Sequence, residues 1–126
     1  MNEAELLIEY AKSWNNLDIS YVENYLADDL VYTSQWVMSS IHGKGEYLDY
    51  LKGKFETIKE STNIPVADVG YFKNYQLVKD KPCLVITQGE TKVAIIIETR
   101  NEKISTIDMV GIPSPYGAIL FEMEPK

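Results

Sequence analysis

The sequence predicts an α+β domain, and two observations carry that prediction. Over roughly the first sixty residues apolar side chains recur mostly at three- and four-residue steps, whereas beyond Pro65 every apolar segment alternates or runs short between turn signals. The connections between the later segments, Gly89-Glu90 and Arg100-Asn101-Glu102, are hairpin-sized, which implies antiparallel pairing. With 126 residues, 45% hydrophobic and 25% charged, the chain suffices for one core and falls short of two, so residues 1–126 form one domain with a tail from about residue 111.

Each element has its own signal. Leu7, Tyr10, Ala11, Trp14 and Leu17 share one helical face, with Glu3 and Glu5 suited to the positive end of the helix dipole, and Asn15-Asn16 breaks this first helix. Ser20 and Glu23 have capping-box spacing, with Asp18 as the alternative cap, and predict a short second helix. It presents Val22, Tyr25 and Leu26 inward and ends near Asp28-Asp29. From Leu30 to Met38 the period is two, which predicts a strand, and Ile41 to Gly45 reads as a turn. Tyr47, Leu48, Leu51, Phe55 and Ile58 then mark a third and longest helix. It carries Gly53 internally, either for close packing or by tolerance.

Four strands follow, Val66 to Lys73, Cys83 to Gln88, Lys92 to Thr99 and Lys103 to Val110. Val93 to Ile97 is apolar on both faces, so it predicts a central strand covered by helices on one side and by a second layer on the other. A second subunit is the simplest cover, and a homodimer through the sheet face is the expectation. The tail still holds Tyr116, Ile119, Leu120 and Phe121, which suits packing on the body or on a partner.

Charge and cysteine usage exclude several classes of function. Twelve Lys and Arg against nineteen Asp and Glu give a net charge of -7, a field that repels phosphate backbones and anionic headgroups, so neither nucleic acid nor membrane is expected as a partner. No apolar run reaches the about 18 residues a bilayer span needs, and the acidic start is unlike a secretory signal, so the expected location is cytoplasmic. Cys83 is the single cysteine, and no Cys/His spacing suits a metal. No metal or cofactor is expected, and the thiol reads as structural.

Three local words carry a resemblance. Trp14-Asn15-Asn16-Leu17-Asp18, Tyr25-Leu26-Ala27-Asp28-Asp29-Leu30-Val31-Tyr32 and Ile41-His42-Gly43-Lys44, in this order of elements, resemble the nuclear transport factor 2-like superfamily. That superfamily includes SnoaL-like polyketide cyclases and ketosteroid isomerases. The resemblance covers about residues 4 to 110. It implies a cone-shaped curved sheet wrapped around three N-terminal helices, with an internal cavity into which Tyr32, Ser34 and Trp36 point. It also puts Tyr10 where the isomerases keep their oxyanion-stabilising tyrosine. Ser34 falls where they keep the proton-shuttling aspartate, and Ile95 or Ile96 near their second acid. Neither replacement can do that work at neutral pH, so isomerase chemistry on steroids is not expected.

Two titratable residues remain as candidates. His42, the single histidine, has a side chain whose ordinary pKa of about 6.5 suits proton transfer, though a turn position equally suits an exposed ring. Asp108 interrupts an apolar strand. In a cavity its pKa would rise toward a usable base, and on the other face it would simply be solvated. Trp14, Tyr32, Ser34 and Trp36 are the candidate ligand contacts, since aromatic rings with polar tips hold and orient small apolar molecules. The leading expectation is a small-molecule-binding domain taking a small, largely apolar ligand. The alternatives are a cofactor-independent isomerase, cyclase or lyase using Asp108 or His42 as base with Tyr10 or Tyr32 as proton donor, and a protein-interaction module.

Overall fold

In the computed structural model, which describes residues 1–35, 39–73, 80–111 and 114–120, helix α1 (Glu3–Asn16) opens with a reciprocal cap. The Asn2 side chain accepts from the Glu5 backbone N–H at 2.8 Å, and the Asn2 N–H donates to the Glu5 carboxylate at 3.0 Å. Leu17, at φ 51° in the left-handed region, ends the helix. The predicted face is the buried one, with Leu7, Tyr10, Ala11 and Trp14 in the core.

The expected short second helix is instead two single 3₁₀ turns, Ile19–Tyr21 and Glu23–Tyr25. The cap is Asp18, which accepts from the Ser20 N–H at 2.9 Å. Strand β1 (Leu26–Ser34) begins before Leu30 because Leu26 already pairs with Ile104, and such long-range pairing overrides a weak local helix signal. The segment expected as a turn forms the end of a second strand, β2 (Ser39–His42), folded back on β1 with Val31 opposite His42. The turn itself contracts to Gly43, whose φ of 98° only glycine adopts readily. Helix α2 (Lys44–Lys59) is the longest element and buries Tyr47, Leu51, Phe55 and Ile58, as its period predicts.

Strands β3 (Val66–Phe72), β4 (Lys81–Gln88), β5 (Thr91–Arg100) and β6 (Lys103–Val110) form the expected antiparallel meander. The full sheet has the order β2-β1-β6-β5-β4-β3-β7, where β7 is Ile119–Leu120. One pairing departs from the antiparallel expectation: β1 runs parallel to β6, with Tyr32 opposite Ile107 and Thr33 opposite Asp108. A register shift at Glu98/Thr99 marks a bulge, a device that bends a strand and curves the sheet. Helix α1 lies over β3 to β5 and α2 over β1 and β2, so both helices cover one face of the sheet.

The other face carries its own apolar cluster, Phe72, Cys83, Val85, Ala94, Ile96 and Val110. Its cover comes from the same chain. Pro115 is buried, Ala118 packs against the cluster, and the Tyr116 hydroxyl donates to the Glu90 carbonyl at 3.1 Å. Leu120 then pairs with Gly70 of β3. The tail thus covers part of the apolar face whose exposure is the reason to expect a dimer. Phe121 and Trp36 lie outside the described residues. Where β4 begins, the buried Lys81 ammonium binds Glu3 at 2.6 Å, Glu98 at 3.2 Å and the Ile97 carbonyl at 3.0 Å, fastening the first turn of α1 to the sheet.

Candidate functional site

Alternation along β1 turns Leu30, Tyr32 and Ser34 toward the helices, and all three are buried. Tyr10 from α1 and Tyr47 from α2 meet there and share a hydrogen bond between their hydroxyls. The Tyr32 ring lies 5.2 Å from that of Tyr47 and 5.4 Å from that of Tyr50, while Trp14 meets Phe55 edge-on at 5.1 Å. At 0%, 1% and 3% exposure, Tyr10, Tyr47 and Tyr32 fill the base of the cone rather than line an open chamber. Burial pushes the Tyr10 phenol up to about 12, against which the Tyr47 hydrogen bond acts only partly. Burial, with neighbouring tyrosines, also raises Tyr47 and Tyr32. All three are therefore neutral hydrogen-bonding groups at physiological pH and none is a base.

Open space remains at the end of the sheet that carries the β4–β5 hairpin. A recess of about 100 Å³ is bounded by Trp14, Ile86, Val93 and Met109, with Lys54, Gln88 and Thr91 as its polar members. The Tyr32 hydroxyl donates to the Met109 sulfur at 3.9 Å, so Tyr32 stands directly behind one wall. Gln88 is held from outside, its side-chain N–H donating to the Asn63 carbonyl at 2.6 Å. The Trp14 indole nitrogen is buried on the side of the Tyr10 hydroxyl, not exposed to the recess. A larger groove of about 260 Å³ runs between the end of α1 and α2, over Leu17, Asp18, Lys52, Phe55, Glu56 and Lys59. It is open to solvent, mixes both signs of charge and holds none of the candidate catalytic or ligand-binding residues named from the sequence.

The structure gathers Tyr10, Trp14, Tyr32 and Ser34 on one side of the sheet and puts both candidate bases on the other. Directly paired residues share a face, and Asp108 pairs with Ile96 of the outer cluster and with Thr33, whose hydroxyl donates to the Asp108 carboxylate. The sheet therefore stands between Asp108 and Tyr10. His42 pairs with Val31 on that same outer face and is exposed, with its Nε2 and the Ser40 hydroxyl sharing a hydrogen bond of 3.1 Å. Neither candidate base faces the tyrosines. Sequence reasoning passed over Lys54, Gln88, Thr91 and Met109. A signal existed for Lys54, which lies seven residues after Tyr47 and so on the same side of α2. Among the described residues no three His, Cys, Asp or Glu side chains come together, and no helix is long and apolar enough to cross a membrane.

A curved mixed sheet with helices on its inner face and a recess at one end is the nuclear transport factor 2-like fold, and comparison with solved structures agrees. A SnoaL-like protein of unknown function from Burkholderia thailandensis superposes with a TM-score of 0.63 at 11% identity, over 85% of this chain and 92% of that one. A hypothetical protein with a ketosteroid isomerase-like fold from Catenulispora acidiphila, in complex with trimethylamine, gives 0.56 at 16% identity over 86% of each chain. A de novo designed protein with a curved β-sheet matches equally well, 0.56 at 14% identity over 86% of each chain, so these likenesses establish fold and leave function to the site. No protein-family model matches the sequence, and a search of curated proteins finds no match.

Proposed function

We propose that this domain binds a small, largely apolar molecule in the recess framed by Trp14, Ile86, Val93 and Met109. The observation that carries the reading is the composition of that wall: four apolar side chains inside and three polar ones, Lys54, Gln88 and Thr91, alongside, the pattern that seats and orients a ligand. Its size restricts the ligand to a few heavy atoms, since sites for drug-sized molecules run to about 300 Å³ or more. A solved protein of this fold holds trimethylamine, which supports a ligand of that scale. Binding is favoured over acid-base catalysis because Asp108 and His42 face away from Tyr10 and Tyr32, outside the few ångströms that proton transfer requires.

The test is a ligand-observed NMR screen of small organic molecules against wild type and Met109→Trp, a substitution that fills the recess. Wild-type binders are expected to lose contact with the variant. An identical hit list for both proteins would move the site elsewhere.

A further inference from the structure

The charge of the recess carries a statement about ligand class. The chain has nineteen Asp and Glu residues, yet none of them lines this space. The charged group that does is Lys54, and among the described residues no carboxylate forms an ion pair with it. Its ammonium lies 5.9 Å from the centre of the Tyr50 ring, and its side chain borders the recess. Gln88 spends one of its two amide N–H groups on Asn63, and its amide, like the Thr91 hydroxyl, can serve as donor or acceptor. A site with an apolar floor and, at its rim, a cation that no carboxylate of the described residues pairs is complementary to a short aliphatic tail ending in an acceptor that bears negative charge.

We infer that the ligand of this recess is a short-chain carboxylate, its hydrocarbon end against Ile86, Val93 and Met109 and its carboxylate toward Lys54. This rests on the recess being the binding site. A cationic amine of similar size would meet Lys54 with like charge and would find no anion among the lining residues, so it is disfavoured. The carboxylate, by contrast, exchanges some hydration for a charge-assisted hydrogen bond at a half-open rim. Because that rim is wet, the charge preference is modest, about threefold to fivefold, and it shrinks as salt screens it.

Three probes with the same branched tail separate the outcomes: isovalerate, isovaleramide and 3-methylbutylammonium, each titrated while the Met109 methyl and Trp14 indole signals are followed by NMR. Isovalerate is expected to bind about threefold to fivefold more tightly than the amide at low salt, and the ammonium more weakly than either. Lys54→Gln should bring acid and amide level, and Lys54→Arg should restore the difference. Equal affinity for acid and amide in wild type, with both lost in Met109→Trp, overturns the carboxylate inference and leaves the recess as the site. No response of either signal to any probe, or a Trp14 indole response unchanged in Met109→Trp, overturns both. Val93→Phe is a second way of filling the same space, and each variant is first shown to melt cooperatively, so a folding defect cannot stand in for lost binding.

Discussion

Gly53 lies on the exposed side of α2, and a Cβ added there would meet no heavy atom within 4 Å. The glycine therefore serves no contact and only weakens the helix. Gly53→Ala is expected to raise stability by about 0.5–1 kcal/mol, seen as a higher urea midpoint with an unchanged slope. A lower midpoint would mean that the helix needs glycine there after all. Cys83 behaves as its apolar strand suggested: burial pushes its thiol up to about 12, so native protein should resist alkylating reagents until it unfolds. Side chains on helices were legible because the 3.6-residue period fixes the face of every position, which is why Tyr10 and Trp14 came out correctly inward. Asp108 was not legible. In β6 the fully buried apolar residues are Ile104, Ile107 and Val110, three apart, so no alternation tells which face Asp108 takes. Its face is set by pairing with Thr33 and Ile96, information held 75 residues away in the first of these.

Elements too short to show a period acquire their meaning from partners. Strand β7 has two residues and β2 four, and neither carries a recognisable signal, whereas the β3–β6 meander and both long helices do. For β7 the deciding feature is Gly70. The chain passes so close that a Cβ at Gly70 would overlap the carbonyl oxygen of Ile119. Gly70→Val should detach β7 from the edge of the sheet and with it loosen the preceding 3₁₀ turn, making the tail beyond Val110 an early site of limited proteolysis, while the meander remains protected from hydrogen exchange. Unchanged proteolysis would show that the tail is held by Pro115 and Tyr116 without β7. The same logic explains the parallel β1–β6 pair. Local sequence reveals hairpins, but it holds no record of which edge the first strand joins after the chain has gone round.

At the scale of the whole molecule, the two helices and the sheet are joined through a buried phenol cluster, and that ties stability to alkaline pH. The Tyr10 proton, lost near pH 10 in an unfolded chain, is held to about 12 in the fold. The unfolded state thus gives up its proton first. The associated stability is fully present below pH 10 and is lost as pH rises through 12, with Tyr47 and Tyr32 acting in the same direction. Phenolate absorbance is expected to rise together with loss of the folded circular dichroism signal over that range. Phenolate formation by all nine tyrosines with the fold intact would refute the coupling. The parallel seam between β1 and β6 also bears on how the chain reaches this state. Every other pairing of the meander closes a short loop, but the seam must bring together strands some 75 residues apart, at the largest entropic cost in the sheet. The meander can thus assemble early, and the docking of β1 becomes the late, rate-limiting step that closes the hydrophobic interior around the tyrosines.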